Sequence, residues 1–223
     1  MKHLNPYWHL WLWLAVILGN EPIRAQMPDL PGQPAPGTQP VHAAYLFAHM
    51  MQADYGHLYY SVSLDGLHWQ LLNGGHRVFE SYRGHASICR GHDGRYYLAG
   101  NRSDDDLTIH FWASTNLVTW APYSDYTADV QHTPGYEKAL ARLGAPKLFY
   151  DETSHQYLVT WHTPHDLGKT DMPEPYWASQ RTLYALSPDL KTFSPLPQRL
   201  FPWDDLATID VNLQKMGDTY YAF

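Results

Sequence analysis

Three polar residues, His85, Lys147 and Asp210, fall in the three-residue leads of three similar segments of the chain. Each segment begins with a short lead, passes an apolar residue and a turn, and ends in a Tyr-rich strand. An imidazole, whose ordinary pKa is about 6.5, can take a proton from water at neutral pH. A carboxylate can do the same, and an ammonium group attracts carboxylates. The set therefore predicts acid–base chemistry, or the binding of a polar ligand, at one site.

Each of these residues has a second interpretation. His85 is a base that activates water, or a polar residue without a catalytic role. Lys147 holds the carboxylate of an acidic sugar, or forms an ion pair with Asp210. Asp210 acts as a base, orients His85, or accepts hydrogen bonds in a turn; we favour a role in the site because the other leads supply polar groups at the same register.

A second group of residues is predicted to contact substrate. His49, Asn101 and His162 fall in the strands that follow the leads or open the first repeat, and with His85 they form a polar ring. Trp161 and Trp177 flank an insertion and predict a flat platform for a sugar, although packing between sheets explains them equally well. No closely spaced ligand motif is present, so neither a metal site nor a cofactor is predicted.

The elements that must position these residues repeat along the chain. Three segments each contain a strand, a loop and a second strand that runs into the pattern Ser-x-Asp/Asn-Leu-x-x-Trp/Phe, and a fourth copy begins at Tyr220. Their aromatic anchors are Trp69, Trp120 and Phe193. A period of about 40–50 residues with several strands per unit is typical of a β-propeller. A β-sandwich would not predict the recurring anchors.

The propeller hypothesis places the three leads together. The innermost strand of each blade lines the central axis, so every lead delivers a side chain to one mouth of that axis. The sequence thus predicts an all-β protein whose site lies at the centre of the blades. The stretch from Thr133 to Leu143 is the only segment that we expect to be helical.

Four longer patterns carry a resemblance to a known family. They run from Ser63 to Gly75, Trp112 to Trp120, Ala145 to Trp161 and Ile209 to Tyr221, in this order. With them the chain resembles the five-bladed β-propeller glycoside hydrolases of family 43, which include arabinosidases and xylosidases. The resemblance implies a five-bladed propeller with about three and a half blades present in this chain.

The resemblance also implies a mechanism, from which this sequence departs. Family members hydrolyse glycosidic bonds with inversion, using an Asp base, a second acidic residue after Ala-Pro, and a later Glu as acid. Here His85 stands at the base position, Lys147 follows Ala145-Pro146, and Asp210 is the matched acidic residue. The later Glu would lie beyond Phe223. Related propellers sometimes hold a central calcium ion, which stays open as an alternative to no cofactor.

Composition excludes one class of partner. The net charge is −7 and no basic run occurs, so binding to nucleic acid is not expected. Aromatic residues make up 15% of the chain, which suits β structure and the stacking of rings on sugars.

The N-terminal part predicts export. Residues 1–25 have the layout of a signal peptide, with Lys2, an apolar stretch and a polar end. A retained membrane anchor is the alternative, but the apolar stretch is short for a bilayer, and no span is expected after cleavage. Residues 26–40 are a Pro-rich spacer and residues 41–223 the propeller domain. The lone thiol, Cys89, leaves an exported chain without an internal disulfide.

The sequence therefore predicts a secreted or periplasmic glycoside hydrolase acting on plant or algal oligo- or polysaccharides. The alternative is a propeller that binds carbohydrate without cleaving it, since two acidic positions are replaced. A third hypothesis is another reaction that uses His85 and a bound metal.

Overall fold

The computed structural model describes residues 15–16, 44–103, 105–139, 141–165 and 175–223. Within these ranges the chain is built almost wholly of strands, with one four-residue α-helix and one 3-10 turn. The strands are β1 (Ala15–Val16), β2 (Tyr45–Met51), β3 (Asp54–Ser63), β4 (Gln70–Leu71), β5 (Ser87–Arg90), β6 (Tyr96–Gly100), β7 (Thr108–Ser114), β8 (Ala121–Thr127), β9 (Gly144–Asp151), β10 (Gln156–Pro164), β11 (Gln180–Ser187), β12 (Gln198–Arg199), β13 (Leu213–Met216) and β14 (Thr219–Ala222). The 3-10 turn is Asn73–Gly75 and α1 is Pro175–Ala178.

The strands form successive antiparallel sheets in chain order. Three sheets have four strands each, β1 to β4, β5 to β8 and β9 to β12, and β13 pairs with β14. In each four-stranded sheet every strand pairs with its neighbours in sequence, which is the meander expected of a propeller blade. The prediction of an all-β protein is confirmed, whereas the total number of blades stays a prediction.

The repeated Ser-x-Asp/Asn-Leu pattern forms the same turn in each four-stranded sheet. The hydroxyl of the serine accepts the backbone N–H three residues later, and that residue has a positive φ in all three copies. The acidic or amide side chain two residues after the serine accepts further N–H groups, which satisfies the turn locally. The three copies are Ser63 with Gly66, Ser114 with Leu117, and Ser187 with Leu190.

The core lies between neighbouring sheets. One cluster of buried residues joins the first and second sheets, and a larger one joins the second and third. Two of the three predicted anchors, Trp120 and Phe193, belong to these clusters, whereas Trp69 packs against Phe47 with ring centroids 5.4 Å apart. The indole N–H of Trp120 donates to the hydroxyl of Tyr60 on the preceding sheet at 3.2 Å, and Phe193 stacks on Tyr126 with ring centroids 4.1 Å apart.

The expected helix over residues 133–143 is wrong. Residues 133–139 form consecutive turns, in which Tyr136 donates its N–H to the carbonyl of Thr133 and Ala139 donates to Tyr136. Pro134 and Gly135, with Gly135 at φ 86°, interrupt any regular helix here. The helix that the structure contains, α1, lies beside the insertion instead.

The predicted leader and spacer lie mostly outside the described residues. Their described part is Ala15–Val16, which pairs with Phe47 and Leu46 at the edge of β2. No helix in the described ranges has the length and apolar character needed to cross a membrane.

Candidate functional site

The three leads meet at one end of the sheets, around the side chain of Asp210. Nδ1 of His85 lies 3.8 Å from Oδ1 of Asp210, and Nδ1 of His162 lies 3.9 Å from the same oxygen. The negative charge of Asp210 acts on the ammonium group of Lys147 and by itself raises the pKa of that group. Three predicted site residues, His85, Lys147 and His162, therefore lie around the carboxylate of a fourth, Asp210.

The inner strands hold this arrangement together. Leu148 on β9 donates its backbone N–H to the hydroxyl of Ser87 on β5 at 2.9 Å, and this contact is buried. His85 precedes β5 directly, and Lys147 lies next to Leu148, so the contact fixes the leads of the second and third sheets side by side.

The segment that carries Asp210 is attached to the third sheet. The N–H of Thr182 donates to the hydroxyl of Thr208 at 2.9 Å, and the hydroxyl of Thr182 donates to the carbonyl of Thr208 at 3.1 Å. The hydroxyl of Thr160 donates to the carbonyl of Val211. Asp210 itself has φ 53°, a left-handed conformation that aspartate tolerates better than most residues.

His85 is oriented by a residue that the sequence did not suggest. The hydroxyl of Tyr55 lies 2.7 Å from Nε2 of His85, and the two rings meet edge to face. A neutral imidazole has one N–H donor and one acceptor nitrogen. We assign the tautomer in which Nε2 accepts from Tyr55 and the N–H at Nδ1 faces Asp210. Tyr55 lies at the start of β3 outside all repeated patterns, so no sequence signal marked it.

Two glycines make room for the histidines. A Cβ on Gly84, whose φ is 135°, would lie 2.9 Å from Cα of Gly100, so the backbone before His85 packs closely on the end of β6. A Cβ on Gly144 would lie 2.1 Å from Nε2 of His162, so the imidazole occupies the space that glycine leaves.

Lys147 is a buried cation beside the carboxylate. Its side chain is 8% exposed on β9, opposite Thr160. Burial lowers the pKa of Lys147, and the negative charge of Asp210 opposes this shift in part. The ion pairs of Asp210 within the described residues are with His85 and His162, so both interpretations of Lys147 stay predictions.

His49 and Asn101 are held by other partners. Nε2 of His49 lies 2.9 Å from the hydroxyl of Ser61, and burial lowers the pKa of His49. The side-chain amide of Asn101 donates to the carbonyls of Ser103 and Leu143, which ties β6 to the start of the third sheet. Both amide hydrogens of Asn101 are therefore engaged, and a role in substrate binding for either residue stays a prediction.

Trp161 lies in the core. Its ring is 1% exposed and packs against Tyr126, so a sugar cannot stack on it in this structure. Alternation along β10 explains this placement, because Tyr157 and Val159 on the same face of the strand are buried as well. Trp177 on α1, by contrast, is 49% exposed. We therefore leave Trp161 out of the substrate-binding surface.

The described residues contain no group of three or more His, Cys, Asp or Glu side chains that could hold a metal ion. Nδ1 of His85 lies 3.8 Å, and Nδ1 of His162 lies 3.9 Å, from Oδ1 of Asp210.

Comparison with known proteins places this geometry in context. Residues 40–223 match the family model of a domain related to glycosyl hydrolase family 43, described as "Probable glycosyl hydrolase domain". No curated protein matches the chain in sequence.

Two solved enzyme structures are similar in fold. The family 32 β-fructofuranosidase of Bombyx mori is 15% identical with a TM-score of 0.53, and the match covers 80% of this chain and 39% of that one. The β-fructofuranosidase of Schwanniomyces occidentalis, solved with fructosyl-erythritol, is 14% identical with a TM-score of 0.55, covering 81% of this chain and 34% of that one. These likenesses support the propeller fold, and the chain matches less than half the length of either enzyme.

Proposed function

Since the chain belongs to the glycosyl hydrolase family whose model it matches, we propose that it hydrolyses glycosidic bonds of plant or algal oligo- or polysaccharides at a pocket centred on Asp210. The observation that carries this proposal is the convergence of His85, His162 and Lys147 on a single carboxylate from separate segments. Titratable groups gathered in this way are characteristic of a site built for proton transfer.

Asp210 is the base in this proposal. Its Oδ1 makes no hydrogen bond with the described residues, although two imidazole nitrogens lie within 4 Å. The carboxylate takes a proton from a water molecule while the water oxygen bonds to the anomeric carbon. The bond to the leaving oxygen breaks on the opposite face, and a separate acid protonates that oxygen, which inverts the anomeric configuration. Such an acid stands about 6.5–9.5 Å from the base.

We propose a different role for His85 from that of the base which the sequence suggested. Its Nε2 contacts the hydroxyl of Tyr55 and its Nδ1 faces Asp210, so the ring is suited to orient the carboxylate rather than to deprotonate water. In its charged form Lys147 attracts the same carboxylate and favours the ionised state that a base requires.

The finer features of the proposal rest on the sequence. Resemblance to arabinosidases and xylosidases suggests pentose-containing substrates, and the leader-like residues 1–25 suggest export to the periplasm or the medium.

The proposal is tested by screening the full chain on aryl arabinofuranosides, xylosides, galactosides and fucosides. We expect turnover of at least one substrate, loss of turnover in Asp210→Asn, and reduced turnover in His85→Ala. Glu152→Gln is the matched control, because Glu152 is an exposed carboxylate in the turn between β9 and β10. Unchanged activity in Asp210→Asn would remove Asp210 from the reaction, and a lack of turnover on all substrates would contradict hydrolysis.

One observation favours a second candidate function, the binding of carbohydrate without cleavage. The groups that approach Asp210 are two histidines and a lysine rather than a second carboxylate. Oligosaccharides that bind to the wild-type protein and remain intact would support this candidate over hydrolysis.

A further inference from the structure

The second sheet carries a cavity whose lining residues differ from those of the candidate active site. A cavity of about 250 Å³ lies between the outer strands of the second sheet and the connection that leads to β5. Arg83, Arg102, His110, Trp112 and Asp125 line it. Two arginines at one small cavity are notable in a chain with a net charge of −7.

The two arginines supply cationic donors. Nη1 of Arg83 donates to the backbone carbonyl of Tyr55 at 2.8 Å, which holds the side chain in place and leaves further N–H groups of the guanidinium for a ligand. Arg102 is exposed and makes no hydrogen bond within the described ranges. A guanidinium group matches the planar oxygens of a carboxylate and also binds sulfate strongly.

The acidic residue of the cavity is already engaged. Oδ1 of Asp125 lies 2.8 Å from Nδ1 of His110, and Nε2 of the same ring lies 3.5 Å from Oδ2 of Asp106. His110 therefore sits between both carboxylates. The charged residues of the lining are two arginines and one aspartate, which leaves one net positive charge without counting His110, and Trp112 supplies an apolar wall on which the body of a sugar ring can rest.

Tyr55 connects this cavity to the candidate active site. Its backbone carbonyl binds Arg83, while its hydroxyl contacts His85, whose Nδ1 faces Asp210. The cavity and the candidate active site are thus linked through the contacts of a single residue.

We propose that the cavity binds an anionic substituent of the sugar chain that is cleaved at Asp210, namely the carboxylate of a uronic acid or a sulfate ester. This inference rests on the proposed function and names its substrate class, an acidic oligosaccharide. The negative net charge of the protein does not oppose it, because charges are screened beyond about 8 Å at physiological salt and the arginines lie at the ligand itself.

Binding is measured by calorimetry on the full chain carrying Asp210→Asn, so that the result does not depend on turnover. The probes are D-glucuronate, glucose 6-sulfate and glucose. We expect at least one anionic probe to bind about 10-fold or more tightly than glucose, and Arg102→Met to remove this preference. Arg102→Lys keeps the charge and should retain part of it, and the relative affinities of the two anions distinguish carboxylate from sulfate recognition.

Arg90→Met is the control, since Arg90 is an exposed arginine on β5 outside the cavity. Arg83→Met provides a second variant, whose folding is checked by thermal unfolding because Arg83 also binds Tyr55. Equal binding of glucose and both anions, or an anion preference that survives Arg102→Met, would overturn the inference. Neither result bears on hydrolysis of neutral aryl glycosides, so failure here is separable from failure of the proposed function.

Discussion

The hydroxyl of Tyr55 and Nε2 of His85 lie 2.7 Å apart, although Tyr55 belongs to the first sheet and His85 to the lead of the second. This contact turns Nδ1 of His85 toward Asp210. It thereby joins one residue from each of three segments into a chain of polar contacts that ends at the candidate base.

Removal of the hydroxyl in Tyr55→Phe is expected to lower kcat/KM about 3- to 10-fold, the size of one neutral hydrogen bond. Thermal unfolding should be nearly unchanged, since Tyr55 is 63% exposed. Tyr221→Phe, an exposed tyrosine on β14, is the control. An unaltered kcat/KM in Tyr55→Phe would show that the contact does not orient His85 for the reaction.

Asp210→Asn is expected to lower kcat by about 10²- to 10⁴-fold, the usual contribution of a general base. Asparagine also tolerates the left-handed conformation at φ 53°, so the variant should unfold near the wild-type temperature. Asp210→Val, in contrast, should be destabilised by about 1–3 kcal/mol because a β-branched residue is strained there. Equal stability of the two variants in thermal unfolding would argue against this backbone conformation.

Lys147→Met is expected to raise stability at pH 7, because burial disfavours the charged form of Lys147 more than the charge of Asp210 compensates. The pKa of Lys147 is lowered in the folded state, so the unfolded chain holds more protons between that pKa and the ordinary value of 10.5. The wild type should therefore gain stability relative to Lys147→Met as the pH rises from 8 to 10. Urea unfolding at several pH values measures this, and a parallel dependence in both proteins would contradict it.

Asp151 on β9 binds the hairpin of β13 and β14 to the third sheet. Its carboxylate accepts hydrogen bonds from the hydroxyl of Tyr220 at 2.8 Å and from Nζ of Lys215 at 3.2 Å. Burial alone would raise the pKa of Asp151, but hydrogen bonds from Ser154, Tyr220 and Thr153 outweigh it and hold the pKa below the ordinary value of 3.8. The stabilisation is thus present above pH 3.8 and is lost as the pH falls further.

Asp151→Asn should accordingly lower the unfolding temperature at pH 7 and lose less stability than the wild type on acidification below about pH 4. Thermal scans from pH 2 to 7 measure both effects. The neighbouring Glu152→Gln changes an exposed carboxylate and should follow the wild type at every pH. If the unfolding temperature of Asp151→Asn also follows that of the wild type, the contact of Asp151 with Lys215 and Tyr220 does not stabilise the protein.

The sequence was informative where a local pattern determines geometry. The Ser-x-Asp/Asn-Leu turns and the strands around them follow from hydrogen bonds between near neighbours, so their periodicity was visible. The meeting of His85 and Asp210 followed from the register of the leads. Tyr55 could not be found in this way, because its contact with His85 depends on how two sheets are placed side by side.

Burial explains why only one of the two tryptophans predicted as a sugar platform is exposed. Trp161 and Trp177 have the same chemistry and both flank the insertion, but the alternation of β10 turns Trp161 into the core while α1 leaves Trp177 half exposed. A tryptophan count alone does not tell a sugar platform from core packing.

The hydrogen bonds from Thr160 and Thr182 to residues 208 and 211 have a consequence for motion within the molecule. These hydrogen bonds attach the segment of Asp210 to the four-stranded third sheet. They do not involve the hairpin of β13 and β14 that follows Asp210 in the chain. Opening or fraying of β13 and β14 should therefore leave the distance between Asp210 and His85 unchanged, so that the active-site geometry is insulated from fluctuations of the less protected final strands.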